Sequence, residues 1–279
     1  FDWVAGAADV FHFTNFTDRP LTHGKSVVSV HDMSFERYPQ FAEEKNLRYL
    51  RAAMRRTAES ADAIITISEF SKREIEELLP AARGKVHVTH LGISQGFKRA
   101  SGAEVSQLRV ELGLARPFML ALGTVEPRKN HELLFRVWHR LTARMGRSAP
   151  HLIVVGAMGY RSQEIVERLG HDLLVWSRIH FVAGLSSPAL AALVLGATGM
   201  LSPSFAEGFG MPVLEASALG VPTLASDIAA HREIGGSGTR LLAEDDEGAW
   251  LEAIAALPPF SGLTGVTKFV DGTPNKELT

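Results

Sequence analysis

The chain of 279 residues contains no cysteine, and none of its apolar runs approaches the roughly 20 residues needed to span a bilayer. Without cysteine, a disulfide scaffold and a thiolate-bound metal site are both excluded. The formal net charge of −2 provides no electrostatic attraction for nucleic acid. With 46% hydrophobic and 22% charged residues, the composition is typical of a globular protein. We therefore expect a globular protein of the reducing cytoplasm that does not bind nucleic acid.

What the chain has instead is a regular alternation of short apolar runs and helical patterns. In the first half, strands are predicted at residues 9–14, 26–30, 63–67 and 86–89, and helices at 43–60 and 71–79. In the second half, strands are predicted at 118–122, 151–155, 179–182, 199–204 and 221–225, and helices at 131–145, 162–169 and 188–195. Strands that alternate with helices predict parallel sheets joined by right-handed crossovers.

This pattern predicts an α/β protein with two Rossmann-like domains whose sheets face a cleft. We place the N-terminal domain at residues 1–105 and the C-terminal domain at 106–257, with the connection between Leu91 and Pro117, where the pattern loosens. Residues 258–279 lack periodicity and are rich in Gly, Pro and Thr, which predicts an irregular tail. Because the chain begins at Phe1 in what reads as the inside of a domain, we expect the N-terminal domain to be truncated.

The helix predicted at 43–60 carries a basic stripe, formed by Arg48, Arg51 and Arg55, on its polar side. An ordinary solvated face explains such a stripe. The alternative is peripheral docking to an anionic membrane, on its cytoplasmic face.

Two polar pairs are interpreted as helix caps. Ser71 and Glu74 have the spacing of a capping box, which predicts that a helix opens there. Ser226 and Asp227 follow the last predicted strand, where a helix N-cap is a better interpretation than a ligand contact. The glycine turn from Val155 to Gly159 lacks the spacing of a dinucleotide fingerprint and predicts no NAD site.

The most informative segment reads Glu207-Gly-Phe-Gly-Met-Pro-Val-Leu-Glu215. It stands between a predicted strand and a run of good helix formers that ends at Gly220, so a glycine loop should open a helix. Glu207 then lies at the helix mouth and Glu215 about two turns inside. Gly208 and Gly210 leave the backbone bare, and a helix N-terminus offers free N–H donors that suit a phosphate. Two carboxylates beside such a cradle suit a nucleotide sugar; a plain turn with a dipole partner is the simpler alternative.

The longer string from Pro203 to Ala216, Pro-Ser-Phe-Ala-Glu-Gly-Phe-Gly-Met-Pro-Val-Leu-Glu-Ala, resembles the donor-site motif of the retaining family 4 glycosyltransferases, which have the GT-B fold. It is most similar to the bacterial mannosyltransferase-B-like branch, and the resemblance runs from about Asp9 to Leu257. It implies that Glu207 contacts the donor sugar near the reacting carbon and that Glu215 accepts hydrogen bonds from the ribose hydroxyls. It also implies donor contacts for the residues between them, Gly208, Phe209, Gly210 and Met211.

A second part of the resemblance lies in Gly123-Thr-Val-Glu-Pro-Arg-Lys-Asn130. Arg128 and Lys129 are adjacent cations between a predicted strand and a predicted helix, where a phosphate-binding cation should lie; a solvated basic turn is the alternative. The string resembles the family's Gly-x-x-x-Pro-x-Lys-Asn loop, which implies that Lys129 grips the donor diphosphate. Thr124 stands where many relatives have an arginine, and we expect Arg128 to substitute for it.

In the first half, His31 and Asp32 end a predicted strand within Val-His-Asp-Met-Ser-Phe-Glu-Arg-Tyr-Pro. A lone histidine at a strand end is more often structural than catalytic. The segment is similar to one that the family places at the interdomain cleft, which implies that His31 contacts the transferred sugar with Asp32 as its orienting partner. The string from Thr66 to Ser71 resembles a Ser-x-Phe-Ser turn of the family that also faces the cleft.

The resemblance implies transfer of a hexose, with mannose from GDP-mannose as the expected case, to a growing polysaccharide or lipid-linked glycan with retention of configuration. No acidic pair or histidine spacing predicts a metal site, so no metal or other cofactor is expected, and cations and amides would neutralise the diphosphate. One alternative is a catalytically incomplete nucleotide-sugar-binding fragment, since the family has a further N-terminal stretch with a glycine-rich loop and a bracing C-terminal helix. Another is a different GT-B enzyme, such as a sugar epimerase, against which the Glu-Gly-Phe-Gly string counts.

Overall fold

The computed structural model describes residue 6, residues 8–94, residue 97, residues 105–107, residue 110 and residues 117–257. Within these residues the strands form two sheets, one of four strands and one of six, and every pairing in both is parallel. The predicted α/β class is therefore confirmed. The predicted connection between Leu91 and Pro117 lies mostly outside the described residues, and the tail predicted at 258–279 lies entirely outside them.

The first sheet has its strands in chain order. They are β1 (Val10–Phe13), β2 (Lys25–Ser29), β3 (Ala63–Thr66) and β4 (Val86–Val88), and the helices beside them are α1 (Ser34–Arg37), α2 (Glu44–Ser60) and α3 (Glu69–Leu78). Val28 and Ile64 pack with Met54 of α2 and Ile75 of α3 in one core, and each of these side chains is at most 1% exposed. This core fixes α2 and α3 on the sheet.

The basic stripe on α2 is partly engaged in ion pairs. Arg51 Nε lies 2.9 Å from Glu36 Oε2 on α1, and an Arg48 nitrogen lies 3.6 Å from Glu44 Oε1 one turn away. Arg55 is exposed. Among the described helices, none combines the length and the apolar character needed to cross a bilayer. Membrane contact through this stripe stays a prediction.

The second sheet has the strand order β10-β9-β8-β5-β6-β7. Its strands are β5 (Phe118–Leu122), β6 (His151–Val155), β7 (Ile179–Val182), β8 (Gly199–Ser202), β9 (Thr223–Ser226) and β10 (Thr239–Leu242). The helices that join and follow them are α4 (His131–Met145), α5 (Ser162–Glu167), α6 (Leu173–Trp176), α7 (Ser187–Gly196), α8 (Met211–Ala218), α9 (Ala229–Ile234) and α10 (Glu247–Ala256).

Both faces of the second sheet are covered by helices, as the continuous apolar strands predict. Successive residues of β5 enter different cores, because side chains alternate across a strand. Met119 and Ala121 pack in the core formed with α4 and α10, whereas Phe118 and Leu120 pack in the core formed with α7 and α8.

The positions of β5 and β8 create a crevice in the second sheet. These strands are neighbours, yet the chain leaves β5 toward β6 and leaves β8 toward β9, in opposite directions. At such a switch point the loops after the two strands diverge, and ligands bind between them at the carboxyl ends of the strands. The loops concerned are residues 123–130 and 203–210, which are the two loops singled out in the sequence.

Both predicted caps are wrong. Helix α3 begins at Glu69 with Ser68 as its N-cap, and the Ser68 hydroxyl accepts the Ser71 N–H at 3.0 Å. Because the Ser68 side chain caps the exposed N–H groups of α3, Ser71 lies inside the first turn of the helix. Helix α9 begins at Ala229 after Ile228 without a side-chain cap, and the Asp227 carboxylate pairs with Arg232 instead, at 2.6 Å.

Two elements near the end of the described chain were missed in the sequence. Strand β10 is short and partly exposed, and the glycines before it resemble an extended turn. Helix α10 is capped by Asp246, whose side chain accepts the Ala249 N–H at 2.9 Å. The position of Glu215 is also corrected: α8 begins at Met211, so Glu215 lies just over one turn inside the helix and not two.

Candidate functional site

The two loops at the switch point are tied together by hydrogen bonds. The Phe205 N–H donates to the Arg128 carbonyl at 2.9 Å. The buried Asn130 side chain donates to the carbonyls of Pro203, at 3.1 Å, and Glu244, at 2.9 Å. Asn130 itself has the left-handed conformation, with a φ of 54°, at the junction of a 3₁₀ turn and α4. It therefore joins the loops that follow β5, β8 and β10.

The Glu207 carboxylate lies where the two loops meet and is held by three side chains. Lys129 Nζ lies 2.6 Å from Oε1, and an Arg128 nitrogen lies 3.1 Å from Oε2. The Ser204 hydroxyl donates to Oε1 at 2.6 Å. The structure thus brings together Arg128, Lys129 and Glu207, all three of which were selected from the sequence.

The charges around Glu207 decide its protonation. Burial would raise the pKa of Glu207, but the attraction of Lys129 and Arg128 and the hydrogen bonds outweigh it and lower the pKa to about 2. Burial would likewise lower the pKa of Arg128, and the carboxylates of Glu207, Glu126 and Asp32 raise it. Glu207 and Arg128 are therefore both ionised at neutral pH.

The pKa of Glu215 is shifted in the opposite direction from that of Glu207. Its carboxylate has no ion-pair or hydrogen-bond partner within the described part of the chain, and burial raises its pKa to about 6. A half-buried carboxylate without a partner retains its full capacity to accept hydrogen bonds.

The mouth of α8 leaves a row of backbone donors free. No described residue accepts a hydrogen bond from the N–H groups of residues 207–211. Gly210 ends the loop with a φ of 96°, a conformation that glycine adopts readily, and lies against the buried imidazole of His231. His231 Nδ1 lies 2.9 Å from the Ser226 carbonyl oxygen. This support fixes a helix N-terminus with free donors at the crevice, which favours an anion.

Thr124 lies in a contact between two glycine turns. A Cβ placed on Gly159 would lie 2.4 Å from Thr124 Cγ2, and one placed on Gly156 would lie 2.0 Å from the Gly123 carbonyl oxygen. The loops after β5 and β6 therefore pack backbone against backbone, and Thr124 faces the second of them.

The first sheet brings His31 and Asp32 to the same loop. A Cβ placed on Gly208 would lie 2.6 Å from the His31 carbonyl oxygen and 2.9 Å from Asp32 Cβ. The His31 ring packs edge-on against Phe16, with ring centroids 5.7 Å apart, and has no hydrogen-bond partner among the described residues. The Asp32 carboxylate accepts the Ser34 N–H at 2.8 Å, so it orients α1 and not the imidazole.

Phe209 also meets the first half of the chain. It is 4% exposed, and its ring centroid lies 5.9 Å from that of His90. Met211, the first residue of α8, is half-buried beside it.

Three supporting residues were not selected from the sequence, namely Asn130, Ser204 and His231. Asn130 and Ser204 lie inside the two strings that were quoted, so their side chains could have been considered with their neighbours. His231 lies far from both strings, and only the pairing of β8 with β9 brings it beneath Gly210.

Within the described residues, no three His, Asp or Glu side chains lie together in a way that could hold a metal ion. The expectation that no metal is required stays a prediction.

Two family descriptions match the chain. "Glycosyltransferase Family 4" matches residues 2–95, and "Glycosyl transferases group 1" matches residues 107–257, more than half of the chain. The chain belongs to the group 1 glycosyltransferases. The second match covers both loops of the candidate site.

Relatives of this glycosyltransferase include the O-antigen chain mannosyltransferase B of Escherichia coli, 30% identical over 231 residues, or 81% of this chain and 59% of the relative. A D-inositol 3-phosphate glycosyltransferase of Nocardia farcinica is 30% identical over 205 residues, or 71% of this chain and 45% of the relative. The chain thus spans roughly half the length of these two relatives.

Solved structures show the fold of this glycosyltransferase. WaaG, a glycosyltransferase involved in lipopolysaccharide biosynthesis, has a TM-score of 0.71 at 20% identity, over 88% of this chain and 68% of WaaG. Anabaena Alr3699/HepE in complex with UDP-glucose has a TM-score of 0.66 at 20% identity, over 83% of this chain and 62% of HepE. The predicted GT-B fold is therefore confirmed.

Proposed function

We propose that this glycosyltransferase moves a hexose from a nucleoside-diphosphate sugar to a growing polysaccharide or lipid-linked glycan, with retention of configuration. Mannose is the favoured sugar, because the O-antigen relative is named a mannosyltransferase. Residues 106–257 would hold the donor and residues 1–105 the acceptor side. The base of the nucleotide is left to experiment, since HepE was solved with UDP-glucose whereas GDP-mannose is the donor expected from the sequence.

One observation carries the proposal. Two cations, Arg128 and Lys129, converge on Glu207 beside five consecutive free N–H groups. Cations and a helix N-terminus suit a diphosphate, and the carboxylates of Glu207 and Glu215 suit the hydroxyls of a sugar and a ribose. The proposed donor-binding roles of Gly208, Phe209, Gly210 and Met211 follow from the same N–H groups. Thr124 would line the donor from the neighbouring loop.

The chemistry follows from the charges. As the bond between the sugar's anomeric carbon and the diphosphate oxygen breaks, negative charge grows on the leaving group, where Lys129, Arg128 and the N–H groups stabilise it. Positive charge grows on the ring as an oxocarbenium-like centre, which Glu207 and His31 position. The acceptor hydroxyl attacks from the face that the diphosphate leaves, its proton passes to a phosphate oxygen, and the configuration is retained.

The rival proposal is that this chain binds the donor and catalyses nothing. Under this rival proposal the chain has the same donor site but does not transfer the sugar. A sugar epimerase is less favoured, because the residues that match a transferase family include the string that begins at Glu207.

The experiment is calorimetric titration of the full chain with GDP and with UDP, with Lys129→Ala and Glu215→Ala in parallel. We expect one nucleotide to bind preferentially, and Lys129→Ala to weaken it about 10- to 100-fold, the value of a charge-assisted hydrogen bond. Glu215→Ala should weaken the nucleotide more than it weakens free pyrophosphate, because its proposed contact is to ribose.

Exposed residues supply matched controls, Lys45→Ala for the lysine and Glu252→Ala for the glutamate, and neither should change affinity. Binding of neither nucleotide by the wild-type chain would remove the donor-site proposal. Binding without transfer of sugar would favour the rival.

A further inference from the structure

The Ser71 hydroxyl lies between the two halves of the proposed active site. Its single hydrogen is shared between the His31 carbonyl and the Gly208 carbonyl, each 3.1 Å from the hydroxyl oxygen, and Ser71 is fully buried. One hydroxyl therefore contacts the backbone of His31, on the first sheet, and the backbone of the loop that carries Glu207, on the second.

Ser68 makes the same connection more closely. Its hydroxyl donates to the Gly208 carbonyl at 2.6 Å while accepting the Ser71 N–H at 3.0 Å. Capping of α3 uses only the oxygen of Ser68 and the N–H of Ser71. Neither hydroxyl hydrogen is needed for the cap: that of Ser68 is directed at the Gly208 carbonyl, and that of Ser71 is shared between the carbonyls of Gly208 and His31.

A carboxylate from the second half of the chain completes this contact. The N–H groups of Glu69 and Phe70, in the first turn of α3, have no partner within the helix. Glu233, on α9, accepts them at 2.7 Å and 2.9 Å. It also lies 3.1 Å from His90 Nε2. A carboxylate at a helix N-terminus is stabilised by the helix dipole. The first turn of α3 is thus bound by Glu233 on one side and by Gly208 on the other.

The position of the Gly208 carbonyl also determines the orientation of the N–H of the next residue. Because a trans peptide is planar, the N–H of Phe209 points opposite to the Gly208 carbonyl, and so away from Ser68 and Ser71. That N–H is one of the five free donors at the mouth of α8, and Glu207 precedes the same glycine. The two hydroxyls therefore determine the direction of a proposed donor contact that they do not themselves make.

We propose that Ser68, Ser71 and Glu233 form a positioning clasp, which couples closure of the cleft to the alignment of the Glu207 loop with His31. The inference rests on the proposed transferase function. The clasp residues touch neither sugar nor phosphate; they act through the Gly208 peptide and the His31 carbonyl. Free nucleotide needs only the second sheet, whereas sugar transfer needs both sides in register.

The first test separates turnover from binding. For Ser71→Ala, which leaves the cap intact, we expect kcat to fall about 10-fold, because a buried carbonyl loses one of two donors, while the nucleotide Kd stays within about twofold. Arg232→Ala, on the same helix as Glu233, should match the wild type, because the Arg232 side chain pairs at the surface with Asp227 and, within the described part of the chain, with no other residue. An unchanged kcat would overturn the clasp. Equal losses of kcat and nucleotide affinity would also overturn it, since they would show that Ser71 supports the donor site as a whole.

The second test needs no activity. Hydrogen exchange at the amides of Glu69 and Phe70 is expected to speed up at least about 10-fold in Glu233→Ala and less in Glu233→Gln, which keeps one acceptor oxygen. Arg232→Ala should leave it unchanged. If exchange in Glu233→Ala equals that of the wild type, the clasp is absent in solution, whatever the enzyme does. If the wild-type chain binds no nucleotide but the exchange result holds, the proposed function fails and the clasp remains as a closure contact.

Discussion

Lys129 Nζ lies 2.6 Å from Glu207 Oε1, with only 12% of the lysine side chain and 9% of the glutamate side chain exposed. A buried ion pair of this kind is costly to break from one side, because the remaining charge keeps its desolvation penalty without its partner. A donor diphosphate would approach this pair as a second anion for Lys129. The pair is thus a structural element and a proposed binding element at once.

Lys129→Ala should destabilise the chain by about 2 kcal/mol, less than the usual 3–5 kcal/mol for a broken buried pair, because Arg128 remains on Glu207. The double variant Lys129→Ala, Glu207→Gln should recover most of this loss, since no buried charge is left without a partner. Urea unfolding of the wild type, both single variants and the double variant measures the coupling. Additive effects would contradict the pairing.

Glu207→Gln should lower sugar transfer by about 100- to 1000-fold, because it removes the carboxylate proposed to position the sugar as charge develops. Nucleotide affinity should be retained or rise, because Lys129 and Arg128 lose their internal anion. The matched control is Glu126→Gln, which removes a carboxylate 2.7 Å from the same arginine. Transfer rates and calorimetry together check the prediction, and equal losses in the two variants would show only a general effect on Arg128.

Glu215 should make stability depend on pH. Its pKa in the folded chain, about 6, lies above the ordinary value of 4.5, so it binds its proton more tightly when folded. Its contribution is therefore favourable below pH 4.5 and is lost as the pH rises through about 6. Glu215→Gln should be more stable than the wild type by about 1 kcal/mol at pH 7.5 and equal to it at pH 4. Unfolding curves across this range test it; a difference that is constant with pH would show that the pKa is not raised.

Gly210→Ala should destabilise the chain by more than Gly220→Ala. Both glycines have positive φ, 96° and 69°, and alanine in the left-handed region costs about 1–2 kcal/mol. A Cβ on Gly210 would also lie 2.9 Å from His231 Cδ2, whereas one on Gly220 would meet nothing within 4 Å. Thermal unfolding of the two variants measures the added cost of the contacts with His231 and with Ile234, whose Cδ1 would lie 3.1 Å from the same Cβ. Equal losses would show that the side chains of His231 and Ile234 move aside freely.

Much of the second half could be predicted from local pattern alone. The boundaries of β5, β6, β7 and α4 match those expected, because these strands are continuous apolar runs and the helix has a regular buried face. The main residues of the loops after β5 and β8 were also selected, because their chemistry, their position at strand ends and the family resemblance point to the same loops. That they have the proposed roles stays a prediction.

The errors arose where tertiary contacts replaced local ones. Glu74 was assigned to a capping box, but Arg37, far away in sequence, lies 2.7 Å from it and takes its place as partner. Strand β10 is recognisable only as a neighbour of β9. Helix α10 did leave a signal, an aspartate N-cap followed by apolar residues at Trp250, Leu251 and Ile254. The clasp could not have been found, because it joins a helix of the first half to a loop and a helix of the second.

The central position of β5 has a consequence for synthesis. Met119 pairs with Gly199 of β8, so one edge of β5 gains its partner only after β6, β7 and α7 have been made. Until then a ribosome-bound chain has β5 hydrogen-bonded on one side and open on the other, with apolar residues above and below. Open strand edges template mispairing, and parallel pairing over long separations is slow. Among the strand pairings of the second sheet, the central one between β5 and β8 therefore waits longest for its second strand in the nascent chain.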